Sequence, residues 1–243
     1  MFPYIHIGDL TISVYYTAMV LGYVMMVVLM LLKARREIYG LGRIKAFIFA
    51  TAELIFGVLG CKILFILENI AWTKSNGLTL GGFSFYGSVF LIPLTMPLIG
   101  KILKLNFRES LDNAAICIVA MLGTIRIGCY FNGCCGGKVL FIGDYSFTLP
   151  TQLIECVCDI LVLWLLLRLE KKKKAEGFLY PIFMLLYGAA RFFVEIIRNT
   201  DKDWLGLSHA QWFSIAAVVI GLTCEIIRRK KAGRITPEAD ISA

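Results

Sequence analysis

Apolar residues fall into seven stretches of 19 to 25 positions, near 11–33, 47–71, 83–103, 111–132, 150–168, 178–198 and 208–227, separated by short polar segments. A helix that crosses a bilayer needs about 20 consecutive apolar residues. The pattern predicts an all-α polytopic membrane protein with seven transmembrane helices. No 20–50-residue repeat, Ser/Gly linker or low-complexity segment interrupts it, so residues 1–231 read as one integral membrane domain. The polar end, 232–243, contains Pro237 and reads as a disordered cytoplasmic tail.

Composition agrees. Of the 243 residues, 58% are hydrophobic and 17% charged, where soluble domains average about 25% charged. Disordered, collagenous and nucleic-acid-binding proteins are thereby excluded, even with a net charge of +8. The positive charge is sorted by side. Eighteen of the 25 Lys and Arg follow the first, third, fifth and seventh runs, from Lys33, Arg35 and Arg36 to Arg228–Lys231 and Arg234. The other side carries Lys74, Lys138 and Lys202. The positive-inside rule then places the N-terminus outside and the C-terminus in the cytoplasm, as an odd number of spans requires. No Lys or Arg precedes the first run, so the basic region of a cleavable signal peptide is missing and the first span is expected to be retained.

Four cations remain, all within or at the ends of spans: Lys62, Arg126, Arg191 and Arg198. Glu53, Glu68, Glu155, Asp159 and Glu195 share that setting. Charge at membrane depth is costly, faces the protein interior and marks candidate functional sites. Structural ion pairing is the bland alternative, and it weighs most for Glu68 and Arg198, near the outer boundary. Tyr187, Arg191, Glu195 and Arg198 recur at helical spacing on one face of the sixth run, and Gln152, Glu155 and Asp159 on one face of the fifth. Guanidinium groups bind phosphate through bidentate, charge-assisted hydrogen bonds. The expected site is a cationic cavity open to the outer leaflet that holds a phospholipid headgroup or another lipid-linked phosphate.

Glycines cluster where two of these runs begin or end: Gly81-Gly82-Phe83-Ser84-Phe85-Tyr86-Gly87, and Gly128 to Gly137 with the sequence GCYFNGCCGG. They suit either an unwound element at a ligand site or close helix packing through small residues.

These motifs resemble those of bacterial prolipoprotein diacylglyceryl transferases. Arg126, Gly128, Asn132, Gly133 and Gly137 match the family signature at the end of the fourth span. Pro150-Thr151-Gln152-Leu153-Ile154-Glu155 resembles its H-P-[ST]-Q-L-Y-E segment, and Tyr187 to Arg198 resembles Y-G-x-x-R-x-x-x-E-x-x-R. Tyr16 fits the family's first-span tyrosine, Gly82 and Gly87 its third-span glycines, and Gln211 its entry to the last span. The resemblance covers nearly the whole chain. It implies a multi-pass enzyme of the bacterial plasma membrane, with its site at the outer leaflet. The implied reaction moves a diacylglyceryl group from phosphatidylglycerol to the lipobox cysteine of a prolipoprotein and releases glycerol phosphate.

Four departures bear on the acid–base side. Tyr86 stands where the family has histidine, Cys129 where it has asparagine, Cys134 where it has glutamate, and Leu149 where a second histidine precedes the Pro-Thr-Gln segment. The loop 138–149 is also short for the family. The divergence leaves two alternatives to the implied reaction: the same anionic donor with a glycan or small thiol as acceptor, or a non-catalytic lipid-binding or transport protein. The catalytic candidates are Arg126, Arg191, Glu195, Tyr86 and Cys134. The candidates for substrate binding are Tyr16, Gly82, Gly87, Gly128, Cys129, Asn132, Gly133, Gly137, Gln152, Glu155, Tyr187, Arg198 and Gln211. Cys129, Cys134 and Cys135 read as structural thiols or a disulfide, as a nucleophile, or as metal ligands, although C-x₄-C-C is not a usual zinc spacing. No cofactor and no metal is assigned; the partners are the anionic phospholipid and the prolipoprotein signal peptide.

Overall fold

A computed structural model describes residues 3–8, 10–35, 42–77, 82–143, 145–171, 177–202 and 204–235. Its main elements are helices α1 (Val14–Arg35), α2 (Arg43–Glu68), α3 (Ile70–Asn76), α4 (Tyr86–Ile102), α5 (Phe107–Asn132), α6 (Thr151–Lys171), α7 (Leu179–Ile197) and α8 (His209–Ile235). Each of the seven apolar runs coincides with one long helix. Five of them, α1, α2, α5, α7 and α8, are long and apolar enough to cross a membrane. Helix α4 is apolar but has 17 residues, and α6 carries Glu155, Asp159, Arg168 and Glu170 within its 21. The protein is a helical, multi-pass membrane protein.

Two short antiparallel hairpins correct the purely helical expectation. β1 (Tyr4–Ile7) pairs with β2 (Leu10–Ser13) ahead of α1, with His6 opposite Thr11. β3 (Val139–Ile142) pairs with β4 (Tyr145–Thr148) in what read as a plain loop. Both are short β-rich runs folding around a Gly with positive φ, Gly8 and Gly143, which favours tight reversal. The polar tail expected from 232 begins inside α8, and residues 236–243 lie outside the described residues.

Helix α5 is the axis of the bundle: two-thirds of its span is buried, against about a fifth of α1 or α2. Asn106 opens it by accepting the Arg108 N–H (3.3 Å). Gly133 closes it in the left-handed region (φ +73°), its N–H turned back to Cys129 and Tyr130. The closest helix pairs are α7–α8, α1–α5 and α2–α4. Small residues set these distances, as is common between membrane helices. A Cβ on Gly87 would strike the Gly60 carbonyl across α2–α4, and one on Gly128 would strike Ala18 across α1–α5. Packed around α5 are Met26, Met30, Phe49, Met96 and Phe183.

The bundle has two distinct ends. The hairpin end carries β1–β2, β3–β4 and the close of α5. The basic end carries the start of α5 and α7. There Lys33, one of the cations of that end, is also part of the interior. Its side chain is buried, donates to Asn113 Oδ1 (2.7 Å) and pairs with Glu170 Oε1 (2.6 Å). Beside it Asp112 accepts the backbone N–H groups of Gly177 (3.0 Å) and Leu179 (2.8 Å), capping α7.

Candidate active site

Three guanidinium groups from two helices converge on the carboxylates of Glu155 and Glu195 near the hairpin end. Arg126 on α5 places Nε 2.7 Å from Glu155 Oε2. Arg191 on α7 binds Glu155 Oε1 through Nη1 and Glu195 Oε2 through Nη2, the latter at 2.7 Å. Arg198 Nη1 lies 3.5 Å from Glu155 and 3.8 Å from Glu195. Glu155 therefore sits at the centre, shared by all three. Arg126, Arg191, Glu155 and Glu195 are each under a tenth exposed. Buried charges of this kind persist only when paired and hydrogen-bonded. The i, i+4 and i, i+3 spacings on α7 did predict the Arg191–Glu195 and Arg198–Glu195 contacts. Asp159 lies one turn beyond Glu155, also buried, and its Oδ2 has no hydrogen-bond partner among the described residues.

The second carboxylate is braced from α8. Ser208 Oγ donates to Glu195 Oε1 (3.0 Å), while Gln211 Oε1 accepts the Ser208 N–H (3.1 Å) and Gln211 N–H points to Ser208 Oγ (3.3 Å). This is a reciprocal capping box, and the S-x-x-Q spacing of 208–211 was a legible signal for it. Ser208 was missed, and Gln211 is brought in through it. Tyr86 and Tyr187 share an aromatic cluster with Phe85 and Phe213, their ring centroids 5.8 Å apart. Tyr86 OH hydrogen-bonds Ser214 Oγ on α8 at 2.6 Å, while Tyr187 OH is buried with no hydrogen-bond partner among the described residues.

A cavity of about 160 Å³ opens beside this cluster, between α1, α2, α4 and α5. Its polar end is formed by Arg126, Tyr15, Cys129 and Cys135; the rest is lined mainly by apolar residues, among them Met19, Met26, Leu54, Val58, Ile92 and Leu122, with the buried Glu53 as the one acid among the described residues. Arg126 also borders a much smaller void with Glu155, Asp159, Tyr187 and Arg191, so it links the ionic cluster to the cavity. Arg191 stands behind it.

Several expected ligands are elsewhere. Tyr16 is 60% exposed on the outward face of α1, and its neighbour Tyr15 lines the cavity instead. One residue is about 100° around a helix, so two adjacent tyrosines cannot share a face. Gly87 and Gly128 serve helix contacts away from the ionic cluster. Gly82 (φ +75°) precedes α4 against Phe65, where any side chain would collide; Gly81 lies outside the described residues. Asn132 is exposed at the end of α5, next to the Gly133 cap. His209 is exposed at the start of α8, and His6 hydrogen-bonds Thr11.

The glycine-rich stretch after α5 is pinned to α6 and α7. Gly137 bridges to Arg198, with Lys138 N–H donating to Ile197 (3.0 Å) and Asn199 N–H to Gly136 (3.4 Å). A side chain on Gly137 would meet Thr151, Leu149 and the Ile197 carbonyl within 2.9 Å. Gln152 Nε2 donates to the Cys134 carbonyl (2.6 Å) and Thr151 Oγ1 to that of Cys135 (2.9 Å). The segment is thereby folded so that the sulfurs of Cys129, Cys134 and Cys135 lie within 4.8 Å of one another. All three are free thiols. The Cys135 pKa is lowered by hydrogen bonds from Cys129 and Cys134, aided by the positive fields of Arg198 and Arg126.

The family model for prolipoprotein diacylglyceryl transferase matches residues 3–227. The chain belongs to the prolipoprotein diacylglyceryl transferase family. It is similar to the phosphatidylglycerol–prolipoprotein diacylglyceryl transferase of Clostridium tetani, at 28% identity over 85% of this chain and 90% of that one. A second enzyme of that name from Clostridium perfringens is 29% identical over 76% and 79% of the two chains. The corresponding protein of Nitratidesulfovibrio vulgaris is 32% identical over 67% of each. The transferase class implied by the sequence motifs is borne out.

Proposed function

We propose that the protein transfers the diacylglyceryl group of phosphatidylglycerol to the lipobox cysteine of a prolipoprotein. In this reading all seven long helices cross the bacterial plasma membrane, with the hairpin end and the N-terminus at the outer face. The acceptor sulfur attacks the glyceryl carbon bonded to the phosphate oxygen. A C–S bond forms as the C–O bond breaks, and the electron pair leaves on glycerol phosphate.

The observation that carries the reading is Arg126 standing between a triply cationic cluster and an apolar cavity. The cavity's Met, Leu, Val and Ile lining suits an acyl chain, and the guanidinium at its mouth suits the phosphodiester. Arg126 neutralises the negative charge that grows on the departing phosphate, in a site poor in water where such stabilisation is strongest. Glu155 holds Arg126 in place, and Arg191 and Arg198 hold Glu155 while adding to the positive field. Glu195, anchored by Ser208, fixes Arg191. Tyr86 and Tyr187 pack behind the cluster, and Gln152 with Gly137 sets the loop that closes it. The names of the relatives favour a prolipoprotein thiol over a glycan or small thiol as acceptor.

Reconstitution in vesicles with and without phosphatidylglycerol, with a lipobox peptide added, tests this. Release of glycerol phosphate together with a diacylglyceryl mass on the peptide cysteine is the expected result. Correct membrane insertion with neither product, for any lipid donor, would overturn it.

A further inference from the structure

The reaction just proposed needs an acceptor thiolate, and the acid–base residues that the family motifs would supply are Tyr86, Cys134 and Leu149 in this chain. At the mouth of the cavity stand three sulfurs instead. Cys129 lies in the last turn of α5, Gly133 reverses the chain, and Cys134 and Cys135 return beside it, all three sulfur atoms within 4.8 Å. A Zn–S bond is about 2.3 Å, so three sulfurs around one zinc ion lie about 3.8 Å apart. A contraction of an ångström or less, reachable by side-chain rotation, suffices.

The backbone supports such a role. Cys135 is held at φ +64°, a left-handed conformation that ordinary side chains rarely adopt and that persists where the surroundings impose it. Gln152 and Thr151, both fully buried, hold the carbonyls of Cys134 and Cys135. Two of the three cysteines line the cavity itself, together with Arg126. Three thiolates around a divalent ion carry a net charge of −1, which becomes −2 with a fourth thiolate. Arg126, and Arg198 opposite Gly137, supply compensating charge nearby.

We infer that Cys129, Cys134 and Cys135 bind one zinc ion, or another thiophilic d¹⁰ metal ion, whose open fourth position takes the acceptor thiol. Three protein ligands and one open position are the pattern of catalytic rather than structural zinc, and a thiol that coordinates the ion loses its proton outright. The inference rests on the transferase reading above and says how that reaction obtains its nucleophile. On coordination the acceptor S–H proton passes to water at the cavity mouth. The bound sulfur then forms the C–S bond as the C–O bond to phosphate breaks. Zinc stays divalent throughout, and the thioether product, neutral and a weaker ligand, leaves.

The test uses the full chain in detergent or nanodiscs. After incubation with zinc and desalting, elemental analysis should give one zinc per chain. Cys129→Ser, Cys134→Ser and Cys135→Ser should each lower this about tenfold, while Cys224→Ser, exposed on α8, should leave it at one. Cobalt(II) loaded in its place should show visible d–d bands of a tetrahedral thiolate site, shifted by a lipobox peptide and not by its Cys-to-Ser counterpart. Stripping wild-type protein with a chelator should slow transfer at least about tenfold, and zinc should restore it. The chelation arm needs no variant that could misfold.

Absence of bound metal, a disulfide within the trio in thiol-trapped protein, or transfer indifferent to chelation would each overturn the metal site and leave the transferase reading standing. A loaded chain whose cobalt spectrum answers the peptide thiol, but which modifies no peptide from phosphatidylglycerol, would support the metal site and count against the donor.

Discussion

At the basic end, Lys33, Glu170, Asn113 and Asp112 knit α1, α5, α6 and α7 together with one cation against one paired acid and a helix cap. At the hairpin end, Arg126, Arg191 and Arg198 crowd around Glu155 and Glu195 on the same α5, α6 and α7. Both groups are buried, and both tie helices to one another. They differ in chemistry and in surroundings. A lysine ammonium with two close acceptors keeps one N–H to spare, and Lys33 does not line the cavity. Three planar guanidiniums sharing two carboxylates have more donors than acceptors, and one of them fronts a cavity. Burial of charge is common to a bolt and to a site; surplus donors facing an opening distinguish the site.

The sharpest way to break this comparison is to remove one cation from each end. Arg126→Ala should lower phosphatidylglycerol-dependent transfer by about 10²–10³, the usual effect of losing one positioned charge donor. Arg191→Ala should approach that loss, because Glu155 then loses its bridge to Glu195. Glycerol phosphate release per folded molecule measures both. Lys33→Met should leave that rate within about twofold, and a loss as large as that of Arg126→Ala would erase the distinction.

Stability should show the opposite ordering of rescue. Lys33→Met strands Glu170 and should cost about 3–5 kcal/mol, while adding Glu170→Met should recover most of it, since an apolar pair can replace a buried ion pair. Thermal denaturation in detergent reads this out. Replacing Arg191 and Glu155 together by apolar residues strands Arg126, so it should recover little stability and leave transfer abolished.

Smaller effects sharpen the edges of the site. Ser208→Ala removes a helix cap and a bond to Glu195, and should cost about 1–2 kcal/mol with a several-fold loss of rate. Tyr15→Phe should slow transfer by about fivefold or less, the value of one hydrogen bond, whereas Tyr16→Phe should have no effect. Equal sensitivity of the two tyrosines would overturn the placement of the cavity against α1.

Much of this was legible beforehand. The seven long helices follow from runs long enough for a bilayer, and the Arg191–Glu195–Arg198 face follows from helical spacing. Other features depended on distance between segments. Lys33 has the sequence context of an end-of-span topology signal, and only the proximity of Asn113 and Glu170 shows it to be interior. Gly87 and Gly128 sit in motifs that suggested ligand contact, and the approach of Gly60 and Ala18 accounts for them as packing. The choice between Tyr15 and Tyr16 turned on a rotation of about 100° about α1, which no local pattern specifies.

A membrane-embedded helical bundle, the sorting of basic residues between alternate loops and the family resemblance all follow from the order of residues alone. Those are properties of composition and of periodicity within single segments, where neighbours along the chain are also neighbours in space. It took the folded arrangement to show that Glu155 is shared by three arginines, that Arg126 alone of the three fronts the cavity, and that three cysteines meet at its polar end. These are contacts between α5, α6, α7 and the loop at 133–150, set by how close glycine and alanine let the helices come.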